Sequence, residues 1–269
     1  MRIGVKPGQW GWPFAELRDS WRAAEGAGFD VVSCFDHVSA APAGLAAWNA
    51  PSLLVAMAGV THGIALAVDV LNVSLRHPFL LAGQLAVAQA ASDGRVEVGL
   101  GAGSYHLARF DHRVIGRPFP QLARRRERLA RCCEIFPALW RGEEVTDSAL
   151  SLDGASLGPL AIEPPPIFIG GTAEATMAIA ADCADGWNAV VEDAGRYREL
   201  SAQIDEICRR RGRQRPLRKA AQVFVRSIEL AAARRLVSDL EAAGAESVTF
   251  VLVDEQGPEA VGELARAVL

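Results

Sequence analysis

The sequence predicts a single α/β domain closed as a (β/α)8 TIM barrel, and three observations predict it. Apolar strand-like runs alternate with helical patterns eight times along 269 residues, and regular βα alternation implies a parallel sheet. Eight such units in roughly 250 residues fit a closed barrel more readily than an open doubly wound sheet. The glycine-rich stretch Gly94–Ser104, GRVEVGLGAGS, follows the fourth strand-like run. A Rossmann unit carries its glycine fingerprint in the first βα turn, and spaced GxGxxG rather than GxGxG.

The elements follow in order. Arg2–Lys6 reads as a strand closed by Pro7-Gly8. Pro13 and Phe14 open a helix that runs to Gly28, with Leu17, Trp21 and Ala24 on one face. Asp30–Phe35 is the second strand and ends at Asp36-His37. A loop rich in Ala, Pro and Gly leads to Asn49, and Pro51 starts a helix ending near Thr61. Ile64–Leu71 is the third strand, and Pro78 begins a helix reaching about Ala91. In the fourth strand Val96, Val98 and Leu100 alternate with glutamate and glycines, the pattern of a buried strand. Gly99, Gly101 and Gly103 imply that something approaches the backbone closely at its end, and bare N–H groups there suit an anion such as phosphate. Arg117–Arg141 carries one long helical pattern interrupted at Pro137. Residues 142–165 read as an irregular insertion in a βα unit. Then come Ile167–Gly170 (strand), Thr172–Cys183 (helix), Gly186–Val191 (strand), Gly195–Arg211 (helix), Lys219–Val225 (strand), Glu229–Ala243 (helix), Ser247–Val253 (strand) and Pro258–Val268 (helix).

Composition narrows the function classes. Half of the residues are hydrophobic, 22% are charged and the net charge is −4, so nothing favours a nucleic-acid partner or an anionic membrane. Five cysteines without a CxxC pair fit a reducing cytoplasm better than a disulfide framework or a zinc site. The histidines show no metal-ligand spacing, and no apolar run reaches the roughly 18 residues of a membrane span. Expected partners are small molecules.

In a barrel the active site lies at the C-terminal strand ends. These ends carry Lys6–Trp10, Asp36-His37, Asp69–Asn72, Gly101–Ser104, Gly170–Thr172, Trp187-Asn188 and Asp254. Two of them are glycine-rich, and the one at Thr172 opens a helix whose N-terminus favours phosphate.

The set resembles the bacterial-luciferase-like oxidoreductases, in the branch that uses the deazaflavin coenzyme F420. AEGAGFDVVSCFDH (24–37), THGIALAVDVLNVSLRHP (61–78), SDGRVEVGLGAG (92–103), PPPIFIGGTAEAT (164–176) and AADCADGW (180–187) match in order and cover most of residues 1–190. The resemblance implies a cofactor phosphate held by Gly101, Ala102, Gly103 and Ser104 on one side and Gly170, Gly171 and Thr172 on the other. It implies that Asp36 and His37 face the ring, that a bulge with a non-proline cis peptide at Asp69–Val70 lies behind it, and that the enzyme is a homodimer. There are two departures. Cys34 stands where relatives often carry an aromatic, and Ser104–Asp111 lacks the glutamate often found after the glycine tip.

His37 is the candidate proton donor or acceptor, because imidazole is suited to that work near neutral pH; Asp36 would orient it or tune its charge. Asn72 would reach the ring's polar edge. Trp10 and Trp48 would wall the substrate pocket, with ordinary packing an equal alternative. His106 and His112, beyond the glycine tip, would reach substrate, though packing is the commoner fate of such residues. The arginine clusters 124–131 and 209–215 read mainly as solvated helix faces, or as a groove for the anionic tail of the deazaflavin. The expected function is F420-dependent hydride transfer to or from a small organic substrate. The alternatives are an FMN-dependent monooxygenase using reduced flavin and O2, and a cofactor-binding barrel without catalysis.

Overall fold

Eight parallel strands close into a barrel in the order β1-β10-β9-β8-β7-β4-β3-β2. This computed structural model describes residues 1–39, 44–103, 106–225, 230–253 and 257–269. The barrel strands are β1 (Arg2–Lys6), β2 (Val31–Cys34), β3 (Ala65–Asn72), β4 (Val96–Gly101), β7 (Ile167–Gly170), β8 (Gly186–Val190), β9 (Arg218–Val225) and β10 (Ser247–Leu252). The outer helices are α1 (Phe14–Ala27), α2 (Ala50–Ala58), α3 (Pro78–Ala91), α4 (His106–Val114), α5 (Leu122–Trp140), α6 (Glu174–Cys183), α7 (Ala194–Arg210), α8 (Leu230–Ala242) and α9 (Pro258–Val268).

Strand alternation sorts side chains into two cores. Val32, Val68, Val98, Ile169, Ala189, Val223 and Phe250 point outward and join the helix faces, among them Leu17, Trp21 and Ala24 of α1, in the main apolar core. The inward set is polar at its base. There Glu97 accepts from Arg2 at 2.7 Å and from Arg218 at 2.9 Å, closing the N-terminal end of the barrel.

Two expectations change. Residues 142–165 are not uniformly irregular: they form a small antiparallel hairpin, β5 (Val145–Asp147) and β6 (Leu152–Ala155), outside the barrel. Pro137 does not interrupt α5. A proline costs its helix a hydrogen bond and about 3 kcal/mol, but the turns around this one are anchored by buried Phe136, Leu139 and Trp140, and the Trp140 indole donates to Ala82 O at 3.0 Å. A helix with no counterpart among the expected elements, α4, follows the glycine tip.

Candidate active site at the barrel mouth

A ring of buried polar groups from four strands forms the floor beneath the mouth. Lys6 Nζ donates to Asp69 O at 2.7 Å and to Gln222 Oε1. Gln222 Nε2 donates to Asn188 Oδ1 at 3.0 Å, and Asn188 Nδ2 donates to Asp69 Oδ1 at 3.2 Å. Burial pulls the Lys6 ammonium below its ordinary pKa and pushes the Asp69 carboxyl above its own, each opposed by the charge of the other. The ring satisfies its members mutually, which is what makes such polarity tolerable inside a barrel.

Above this floor β3 bulges. The register with β4 shifts between Val68 and Leu71, and the Asp69–Val70 peptide is cis. The bulge turns the half-buried Val70 side chain toward the tips of β4 and β7. A Cβ on Gly101 would lie 2.5 Å from Val70 Cγ2, and one on Gly170 would lie 2.6 Å from Val70 Cγ1. The glycines expected to admit a close neighbour therefore do so, and within the protein that neighbour is Val70.

Two arginines of α5 hold the β4 tip and the loop after β3. Arg125, 6% exposed, donates through Nη1 to the carbonyls of Ala102 and Gly103 and through Nε to Pro120 O at 3.0 Å. Arg128 donates to Val73 O at 2.8 Å and Arg76 O at 2.9 Å in the loop after β3. These side chains are committed to backbone, so for them both expectations fail, the solvated face and the groove for an anionic tail. Asn72 is buried. Its Oδ1 accepts from Ser74 N at 3.1 Å, which orients the amide. Its Nδ2 is buried without a partner among the described residues, on the side where a Cβ of Gly103 would stand.

His37 sits on the opposite wall. Its Nδ1 lies 2.8 Å from Asp111 Oδ2, and Asp111, 1% exposed, also accepts from the amides of Val38 at 3.1 Å and Ser39 at 3.3 Å. Asp36, expected to orient His37, is engaged elsewhere. It forms a two-pronged buried pair with Arg76, at 2.6 and 2.7 Å, and accepts from Asn72 N at 3.0 Å. Asp36 thus ties the end of β2 to the loop after β3, and Asp111 of α4 holds the histidine. The Trp10 ring packs 5.4 Å from His37 and 5.1 Å from Phe35. The Trp48 indole donates to Trp12 O at 2.9 Å and its ring packs edge-on against Phe14. These are packing contacts, and Gln9 Nε2 links the Trp48 carbonyl at 3.1 Å to that of Phe35 at 2.8 Å.

At the β7 tip, Gly171 has φ 142° and its N–H donates to Asn188 O at 3.1 Å. Thr172 is exposed, and α6 begins two residues later with no side chain capping its first turn. Glu174 in that turn is paired with Arg210 at 3.0 Å. Ser104 and the His106 side chain lie outside the described residues. His112 does not reach the mouth. It is buried between Ser74 Oγ at 2.8 Å and Pro118 O at 3.1 Å, and burial depresses its pKa. Among the described residues no cluster of three or more His, Cys, Asp or Glu side chains could hold a metal ion, and no helix is long and apolar enough to cross a membrane.

Residues 1–265 match the family model described as luciferase-like monooxygenase. The chain belongs to the luciferase-like monooxygenase family. Within it, an F420-dependent glucose-6-phosphate dehydrogenase of Nakamurella multipartita is 30% identical over 70% of this chain and 55% of its own length. An F420-dependent hydroxymycolic acid dehydrogenase of Mycobacterium tuberculosis is 29% identical over 67% of this chain and 50% of its own. The chain thus spans about half the length of the curated relatives it matches. Among solved structures, an F420-dependent secondary alcohol dehydrogenase in complex with an F420-acetone adduct superposes with TM-score 0.83. It is 15% identical, over 99% of this chain and 98% of that one. An FMN complex of a type II Baeyer-Villiger monooxygenase from Pseudomonas putida superposes with TM-score 0.66 at 19% identity, over 90% of this chain and 73% of that one. These likenesses place the luciferase-like barrel fold.

Proposed function

We propose that this luciferase-like protein is an F420-dependent oxidoreductase that moves a hydride between the deazaflavin and a small organic substrate. The observation that carries the reading is His37 held by Asp111. A buried carboxylate on Nδ1 fixes the tautomer and leaves Nε2 free among the described residues, on a side chain that is 22% exposed. That is the arrangement of a proton donor and acceptor. F420 dependence is named for both curated relatives and for the secondary alcohol dehydrogenase, which supports the choice of cofactor.

The residues present fit a flat, phosphate-bearing cofactor. Asn72 offers a buried donor that lacks a partner among the described residues, beside the β4 tip. The uncapped start of α6 offers backbone N–H groups at the β7 tip, and Val70 gives a small apolar surface between the two tips. Gly101–Gly103 and Gly170–Thr172 would hold the phosphate side. When bound, the deazaflavin supplies a carbon that takes up or returns a hydride. The chain does the rest. Trp10 and Phe35 pack beside His37 and limit its rotation. His37 Nε2 takes the substrate hydroxyl proton in one direction and returns it in the other, while Asp111 stabilises the imidazolium so formed.

Titration of the purified chain with F420 and, separately, with FMN tests the cofactor. F420 is expected to bind at micromolar concentration. FMN binding without F420 binding would overturn the reading in favour of a flavin monooxygenase. With F420 bound, His37→Asn is expected to lower kcat about 10²-fold and leave cofactor affinity unchanged; full activity in that variant removes His37 from the mechanism. The same reading takes the enzyme as a cytoplasmic homodimer. The dimer is supported by α2 and α3, which carry no charged residue yet leave Val55, Leu80 and Val87 exposed, and sedimentation of the purified chain checks it.

A further inference from the structure

The inward face of the barrel changes character abruptly on the side of β8, β9 and β10. Asn188 and Gln222 point inward, since they bond each other and reach Asp69 and Lys6 across the lumen. Residues two further along each strand share that face. They are Val190 on β8 and Phe224 on β9, and β10 places Val251 opposite Phe224 in the register. Their outward neighbours Ala189 and Val223 are buried in the main core. Phe224, by contrast, is 55% exposed and Val190 is 37% exposed. A phenyl ring left this open at the C-terminal end of a barrel strand, next to a second apolar side chain, marks a surface that meets a ligand.

The polar groups beneath cannot serve that ligand. Lys6 is 4% exposed and committed to Asp69 and Gln222, while Asn188 and Gln222 spend their amides on each other and on Asp69. The sector at the β8, β9 and β10 tips therefore offers apolar contact above a closed polar ring. A phosphorylated sugar needs cations and hydrogen-bond partners there, and would leave its own charges unpaired against Val190 and Phe224.

We propose that Phe224, with Val190 and Val251, forms the subsite for the body of the substrate, and that this substrate is an alcohol or ketone with an alkyl or aryl body, not a phosphosugar. The assignment rests on the F420 reading for its chemistry, and on the strand register alone for its location.

The test compares cyclohexanol with glucose 6-phosphate on the full chain loaded with F420, wild type against Phe224→Ser and Phe224→Leu. Cyclohexanol is expected to be the better substrate by kcat/KM. Phe224→Ser is expected to raise its KM about tenfold, while kcat and F420 affinity hold and Phe224→Leu retains most of the wild-type KM. A higher kcat/KM for glucose 6-phosphate overturns the proposal, as does a cyclohexanol KM within twofold of wild type in Phe224→Ser. Saturation-transfer NMR of cyclohexanol on cofactor-free protein reads the subsite independently. A signal in wild type that is lost in Phe224→Ser supports it, and equal signals overturn it. Failure of F420 to bind would remove the cofactor reading while leaving this measurement decisive for the subsite.

Discussion

Alanine at Gly101 tests what the glycine tip is for. The new Cβ would lie 2.5 Å from Val70 Cγ2, about an ångström inside ordinary carbon–carbon contact, so Val70 or the bulge that carries it must move. Overpacking of this kind costs about 1–3 kcal/mol. The geometry also specifies the remedy. If Val70 is cut to alanine, the atoms nearest the new Cβ become the residue-70 Cβ at 3.5 Å and Leu71 O at 3.8 Å, both ordinary contacts. Val70→Ala alone removes two half-buried methyls at about 1 kcal/mol. The double variant Gly101→Ala/Val70→Ala should therefore be about as stable as Val70→Ala alone, giving a coupling energy of about 1–3 kcal/mol in its favour. The entropic gain from replacing glycine in the unfolded chain enters both backgrounds and cancels. Urea denaturation of the four proteins measures the cycle. Additive effects, within about 0.5 kcal/mol, would mean that the glycine does not exist to receive Val70, and that its Cβ space belongs to something outside the protein.

Three further outcomes follow from the site. Arg76→Met leaves the Asp36 carboxylate buried without its counter-charge and should cost about 3–5 kcal/mol; chemical denaturation reads it, and Asp36→Leu in the same chain should recover most of the loss. Asp111→Asn turns an amide N–H toward His37 Nδ1, favours the other tautomer and should lower kcat by about 10²-fold or more with cofactor affinity unchanged, read by steady-state kinetics and F420 titration. Burial holds the folded pKa of His112 below the ordinary histidine value of about 6.5, so between the two the unfolded chain binds a proton that the folded chain does not. Stability should fall as pH drops from about 6.5 toward the folded pKa and level off beneath it; urea midpoints across that range should show the slope, and His112→Gln should flatten it.

The barrel was legible because each strand is an apolar run closed by glycine, proline or a charged pair, and each helix carries a buried stripe such as Leu17, Trp21 and Ala24. The outer hairpin was not, because Val145–Asp147 is three residues long and presents no alternation. At the site, His37, Asn72 and the glycine tips could be read locally as residues at strand ends. Their partners could not. Asp111 lies 74 residues from His37 and Arg76 lies 40 from Asp36, and a carboxylate in a helical run looks the same whether it meets solvent or an imidazole. Asp36 adjoins His37 in sequence, which suggested a pair. At the end of a strand successive side chains diverge, and the two went to different partners. The arginines of α5 misled in the same way, because a basic run gives no sign of which members turn inward. Phe224 carries a local signal: it stands two residues beyond Gln222, on the same face at the end of a strand.

The grip of α5 on the mouth has a mechanical consequence. Arg125 and Arg128 are three residues apart on one helix, so they share a face, yet one holds the end of β4 and the other the loop leaving β3. The two ends, already joined by the Val73 N–H to Gly101 O at 3.2 Å, are thereby also slaved to a single rigid rod. One residue added between Arg128 and the buried stripe that begins at Leu129 would rotate both guanidiniums by about 100° relative to that stripe, and would release both ends together. Length between Arg125 and the buried stripe from Leu129 onward is therefore under tighter constraint than composition, and natural variation there should appear as substitution rather than insertion.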